Sequence, residues 1–122
     1  MVTVLITADN STVNFGASLG PFTLATTQNN YSPAGIYAGI NCLLLTPASG
    51  GSTLTGLVGG IFPSGWVMLI ENLSTTDYIY FSHLSGSSSV GNQFSCTLGT
   101  TGALAPLGNS IVTYNGTVWK FA

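Results

Sequence analysis

Apolar and polar residues alternate by twos, or stand in short runs apolar on both sides, along nearly the whole chain, and clusters of Gly, Pro, Asn and Ser cut these runs apart every few residues. A period of two places successive side chains on opposite faces of a strand, whereas no segment of useful length carries the 3.6-residue period of an amphipathic helix. Strands are expected over 2–6, 12–15, 22–25, 42–46, 54–58, 66–71, 78–83, 93–98, 110–114 and 117–121. Their spacing, with turn residues between them, predicts an all-β domain. The expected architecture is an antiparallel β-sandwich with a short N-terminal strand or arm. A chain of 122 residues makes one such domain, with 1–28 as the possible arm and 29–122 as the main sandwich.

Charge narrows the functional classes. Only 3% of the residues are charged, against roughly 25% in ordinary globular chains. The charged side chains are Asp9, Glu71, Asp77 and Lys120, with His83 the one group that titrates near neutral pH in its free form. Nucleic-acid binding displaces phosphate counterions with several cations, and a chain with one Lys and no Arg does not supply them. The polar surface must instead be Ser, Thr, Asn, Gln and Gly. A net charge of -2 gives little repulsion between copies, which favours association.

Chemistry is poorly supplied. Any nucleophilic scheme must use His83, oriented by Asp9, Glu71 or Asp77, and no Gly-x-Ser-x-Gly elbow is present. Glu71 and Asp77 flank the 72–76 loop of an expected hairpin, where carboxylates are ordinarily solvated. Cys42 and Cys96 lie in apolar alternations and read as small buried hydrophobes, with a disulfide between them as the alternative if the chain matures outside the cytoplasm, and with one His they cannot complete a metal site. The run Gly56-Leu57-Val58-Gly59-Gly60 lacks the Lys-Ser/Thr of a phosphate loop. We expect no enzyme, no cofactor, no metal and no nucleic-acid partner. The start of the chain has no basic and apolar leader pattern, and the apolar stretch 54–70 is interrupted by Gly and by Pro63, so a membrane partner is not expected either.

Two segments need cover on both sides. Trp66-Val67-Met68-Leu69-Ile70 has no polar face, and Tyr78-Ile79-Tyr80-Phe81 is nearly as apolar. One side of each meets the opposite sheet, and the other is covered by the N-terminal segment, by a second copy of the chain or, as the alternative, by long loops. A homo-oligomer is expected on that ground. Trp66, Met68, Tyr78 and Tyr80 are the candidate interface residues, joined by Val2, Val4 and Ile6 of the N-terminal strand, which either pairs with another chain or forms an edge strand of the chain's own sheet. Exposed aromatics such as Tyr31, Tyr37 or Trp66 could instead stack on sugars. At the C-terminus, Asn115-Gly116 predicts a two-residue type I′ turn that sets Tyr114 opposite Thr117 and Val112 opposite Trp119. That register puts Val112, Tyr114, Trp119 and Phe121 on the core face.

The order Asn30-Tyr31-Ser32-Pro33, Leu43-Leu44-Leu45-Thr46, Leu54-Thr55-Gly56-Leu57-Val58-Gly59-Gly60, Asn72, Asn92-Gln93-Phe94, Leu104-Ala105-Pro106, Ile111-Val112-Thr113-Tyr114 and Val118-Trp119 resembles a β domain of bacteriophage fibre heads and of capsid decoration (cement) proteins. The resemblance covers about residues 29–122. It departs at Gln93, where the pattern has a basic residue, and in the N-terminal segment. It implies a trimer of jelly-roll-like sandwiches, a place on the outer capsid surface of a virion, and the major capsid protein as partner. A decoration protein is expected over a fibre tip, since a fibre subunit carries a long shaft or anchor. The alternative is a receptor- or glycan-binding tip module.

Overall fold

Frequent Gly, Pro and Asn keep the strands short, and a short strand is stable only when it is stacked among others. The computed structural model describes residues 3–6 and 11–121. β1 (Thr3–Ile6) and β2 (Ser11–Asn14) form an antiparallel two-stranded sheet of their own. The remaining strands are β3 (Ser18–Thr23), β4 (Thr27–Gln28), β5 (Cys42–Thr46), β6 (Ser52–Leu54), β7 (Trp66–Asn72), β8 (Ile79–Phe81), β9 (Phe94–Cys96), β10 (Gly102–Leu104), β11 (Asn109–Tyr114) and β12 (Trp119–Phe121). They build a six-stranded sheet in the order β3-β5-β7-β11-β12-β9 and a four-stranded sheet in the order β10-β8-β6-β4.

The protein is all-β, as expected, but its pairing is mixed. β3, β5 and β7 are parallel neighbours in one sheet, and β4, β6 and β8 are parallel neighbours in the other. The chain therefore runs as three stacked arches, β3–β4, β5–β6 and β7–β8, each sending its two strands to opposite sheets. A fourth arch, β10–β11, stacks in the reverse sense, antiparallel to β8 and β7. This corrects the expectation of an antiparallel, jelly-roll-like sandwich. Consecutive strands of an arch face each other across the core instead of sharing hydrogen bonds, so successive arches superpose in parallel. The 72–76 loop is accordingly no hairpin: β7 and β8 lie in different sheets. The segment expected as an arm supplies β3 and β4 to the two sheets.

The inner faces of both sheets share one core. Leu43, Leu45, Met68, Ile70, Val112, Tyr114 and Trp119 face Leu54, Ile79, Phe81 and Leu104. Phe81 bridges the layers, stacking on Phe121 at 4.5 Å and meeting Phe94 edge-on at 5.0 Å. Trp119 is fully buried and its Nε1–H donates to the Leu57 carbonyl at 2.9 Å, which satisfies the one polar atom of its ring. At one side the sheets join, because His83 bridges to Phe94 in parallel and Leu84 N–H donates to the Phe94 carbonyl.

The C-terminal hairpin has a longer loop than expected. Tyr114 pairs with Trp119 and Val112 with Phe121, leaving residues 115–118 in the turn. Asn115 Oδ1 accepts from the Thr117 and Val118 amides, both at 2.9 Å, so the side chain organises the turn in place of the type I′ backbone. The shift is two residues, which preserves side-chain direction. Val112, Tyr114, Trp119 and Phe121 are all buried on one face as predicted.

Residues quoted for the resemblance hold irregular backbone. Buried Asn72 donates from Nδ2 to the carbonyls of Asp77, Leu104 and Ala105 and accepts the Ser74 amide on Oδ1, which ties the turn of the third arch to that of the fourth. A second knot joins 28–30 to 85–92. Asn30 N–H donates to Ser88 Oγ, Asn30 Oδ1 accepts from Ser89 N–H and Asn92 Nδ2, and Thr55 Oγ1 bonds Ser88 Oγ at 2.7 Å. Gly56 belongs to this knot for a steric reason: a Cβ there would lie 2.5 Å from Ser88 Oγ.

Candidate functional site

With little charge available, the surfaces able to recognise anything are the outer faces of the two sheets. Their composition follows from strand parity. In the six-stranded sheet the register aligns Cys42, Leu69 and Ile111 across β5, β7 and β11, and Val67, Thr113, Lys120 and Ser95 across β7, β11, β12 and β9. The β5–β7 part of this face is covered by the chain itself. Phe15, which follows β2 directly, packs on Cys42 and Leu69 and leaves Leu69 only 1% exposed. Beyond this plug a groove of about 490 Å³ runs over the far end of the sheet, lined by Ser95, Cys96, Thr97, Ile111, Thr113, Lys120 and Phe121.

The outer face of the four-stranded sheet is different. Thr27, Thr53, Tyr80 and Ala103 align across β4, β6, β8 and β10. Tyr78, just before β8, leans on Tyr80 with ring centroids 5.8 Å apart and planes 11° from parallel. The two residues remain 43% and 37% exposed. Asp77 adjoins them and is held from both oxygens: Oδ1 accepts from Gly50 N–H and Oδ2 from Thr76 Oγ1, each at 3.1 Å.

The candidate interface residues separate accordingly. Tyr78 and Tyr80 are at the surface and adjacent. Met68 is a correction: it is wholly buried, because its position on β7, beside Val112 of β11, points between the sheets into the common core. Trp66 is half-buried, stacked on Phe62 at 5.7 Å, with Nε1–H donating to the Ile40 carbonyl. Val4 and Ile6 lie in β1, in register with Val13 and Ser11 of β2, and Val2 lies outside the described residues. Of the aromatics considered for sugar stacking, Tyr37 is exposed, whereas Tyr31 is half-buried and burial raises its phenol pKa. Phe15 and Thr53 were not anticipated. Phe15 ends the strand expected over 12–15, but its alternation with Val13 does not say that it closes another sheet, and a Thr beside a Gly-rich turn carries no periodic signal.

The reactive groups have structural positions. His83 Nδ1 accepts the Cys96 amide at 3.0 Å, fixing the end of β8 beside β9. Cys42 and Cys96 are free thiols. Burial pushes the Cys42 thiol up, reinforced by the nearby Glu71 carboxylate, and burial likewise raises Cys96. Asp9 lies outside the described residues. Among the described residues no group of three His, Cys, Asp or Glu is close enough to hold a metal ion.

Compared with models of protein families, with curated proteins and with solved structures, the chain matches none.

Proposed function

We propose that this chain is a structural decoration (cement) protein, which binds the outside of a bacteriophage shell as a homotrimer and stabilises it. The observation that supports this reading best is a nearly uncharged, two-layered β body whose outer faces still present half-covered apolar side chains, Ile111 on one and Tyr78 and Tyr80 on the other. Such faces associate through apolar and amide contacts, and few like charges oppose the approach. A trimer that binds only the assembled shell, on its major capsid protein, lowers the free energy of that shell by mass action, and repeated sites multiply the effect.

Light scattering gives the mass of the purified protein, and co-sedimentation with shells stripped of accessory proteins tests binding. A trimer that co-sediments, raises the melting temperature of the shell and stays bound at high ionic strength is the expected result. A stable monomer, or release by salt, overturns it. A trimer that ignores shells and adheres to cells moves the function to a receptor-binding tip.

A further inference from the structure

We propose that the outer face of the four-stranded sheet, centred on Tyr78 and Tyr80, is a binding site for neutral saccharides. Tyr78, just before β8, and Tyr80 within it are each more than a third exposed, and their near-parallel phenol rings stack at the surface, leaving to each one outward-facing side. The C–H face of a pyranose stacks on such rings while its hydroxyls need hydrogen-bonding groups at the rim. Those groups are present. Asp77 spends one bond on each oxygen, to Gly50 N–H and Thr76 Oγ1, and an ionised carboxylate has about four acceptor positions. Thr53 stands beside Tyr80 in register and adds a hydroxyl.

The neighbours leave the rings open. Ala103 flanks Tyr80 on the other side, and a Cβ at Gly51 would sit 3.4 Å from Tyr80 Cε2. The rings brace each other and Asp77 is held at both oxygens, so little side-chain freedom is lost on binding. Charge selects the ligand class. Of the other charged side chains in the described residues, Glu71 and Lys120 stand on the outer face of the opposite sheet, so Asp77 has no cation beside it. Sialylated, uronic or sulfated sugars are repelled, and neutral hexose chains fit. Tyr78 and Tyr80 also support the coat reading, so the saccharide site requires that copies and shell meet through the Ile111 face, and a trimer or shell complex that still takes the sugar keeps the two readings distinguishable.

The test is NMR of the protein labelled at its 5 tyrosines, titrated with maltohexaose, laminarihexaose and mannohexaose, with a hyaluronan hexasaccharide as the anionic control. At least one neutral hexasaccharide is expected to shift the Tyr78 and Tyr80 ring signals and leave core Tyr114 unmoved, while the anionic one shifts none. Tyr80→Ala lowers the affinity about tenfold, and Tyr80→Phe, which keeps the ring, stays within about threefold. No shift with any of the three at about 10 mM, well above the millimolar constants expected of a two-ring site, overturns the proposal. So does the same shift pattern on raising protein concentration alone, which would make the face a contact between copies.

Discussion

β7 and β8 are consecutive strands of one arch, and both are apolar on both sides in sequence, yet the fold treats their outer faces in opposite ways. Leu69 of β7 is sealed by Phe15 from the same chain, whereas Tyr80 of β8 stays open beside Tyr78. A doubly apolar strand therefore does not by itself announce an interface. Its second side is closed internally wherever a nearby segment can bring a large side chain over it. Here the residue that does so follows the N-terminal hairpin and leads straight into β3 at the edge of the six-stranded sheet.

The contrast can be broken first at Phe15. Phe15→Ala removes the cover over Leu69 and Cys42 and is expected to lower stability by about 3–5 kcal/mol, measured by urea unfolding. A loss under about 1 kcal/mol would mean that the six-stranded sheet is as open as its opposite. Asn72→Ala comes next. It deprives three carbonyls and the Ser74 amide of their partner, and about 2–3 kcal/mol should go with them.

The thiols sharpen the same point through pH. Burial raises both, so less thiolate is present at a given pH in the native protein than in the unfolded chain. The rate of alkylation against pH should reach its midpoint at a higher pH for the native protein than in urea. Phe15→Ala should move the Cys42 profile back toward the unfolded one and leave Cys96 unchanged. The smallest effect belongs to the open face: Tyr80→Ala should change stability by no more than about 1 kcal/mol, since the ring loses one stacking contact and little burial. A larger loss would show that the tyrosine pair is a structural element.

Strands at 42–46, 66–71 and 110–114 were legible because they are short, largely apolar runs bounded by breakers. β10 was not, since Gly102-Ala103-Leu104 offers one bulky side chain and takes its strand form from pairing with β8. β4 is two residues long and exists only because β6 runs beside it. Of the candidate residues, Tyr78 and Tyr80 reached the surface and Met68 did not. On a strand apolar on both sides, periodicity cannot tell which side meets the opposite sheet.

The sequence alone determined the all-β class, the scarcity of ionic chemistry and the side-chain facing of the C-terminal hairpin. These depend on composition and on a period of two, which survives even a register shift of two residues. The tertiary structure alone decided that neighbouring strands run parallel, that Phe15 closes one sheet and that Asn72 and Asn30 knot the arches together. Strand direction and cover are set by which segments meet across the core, and the residues that meet there are separated by tens of positions with no local pattern linking them.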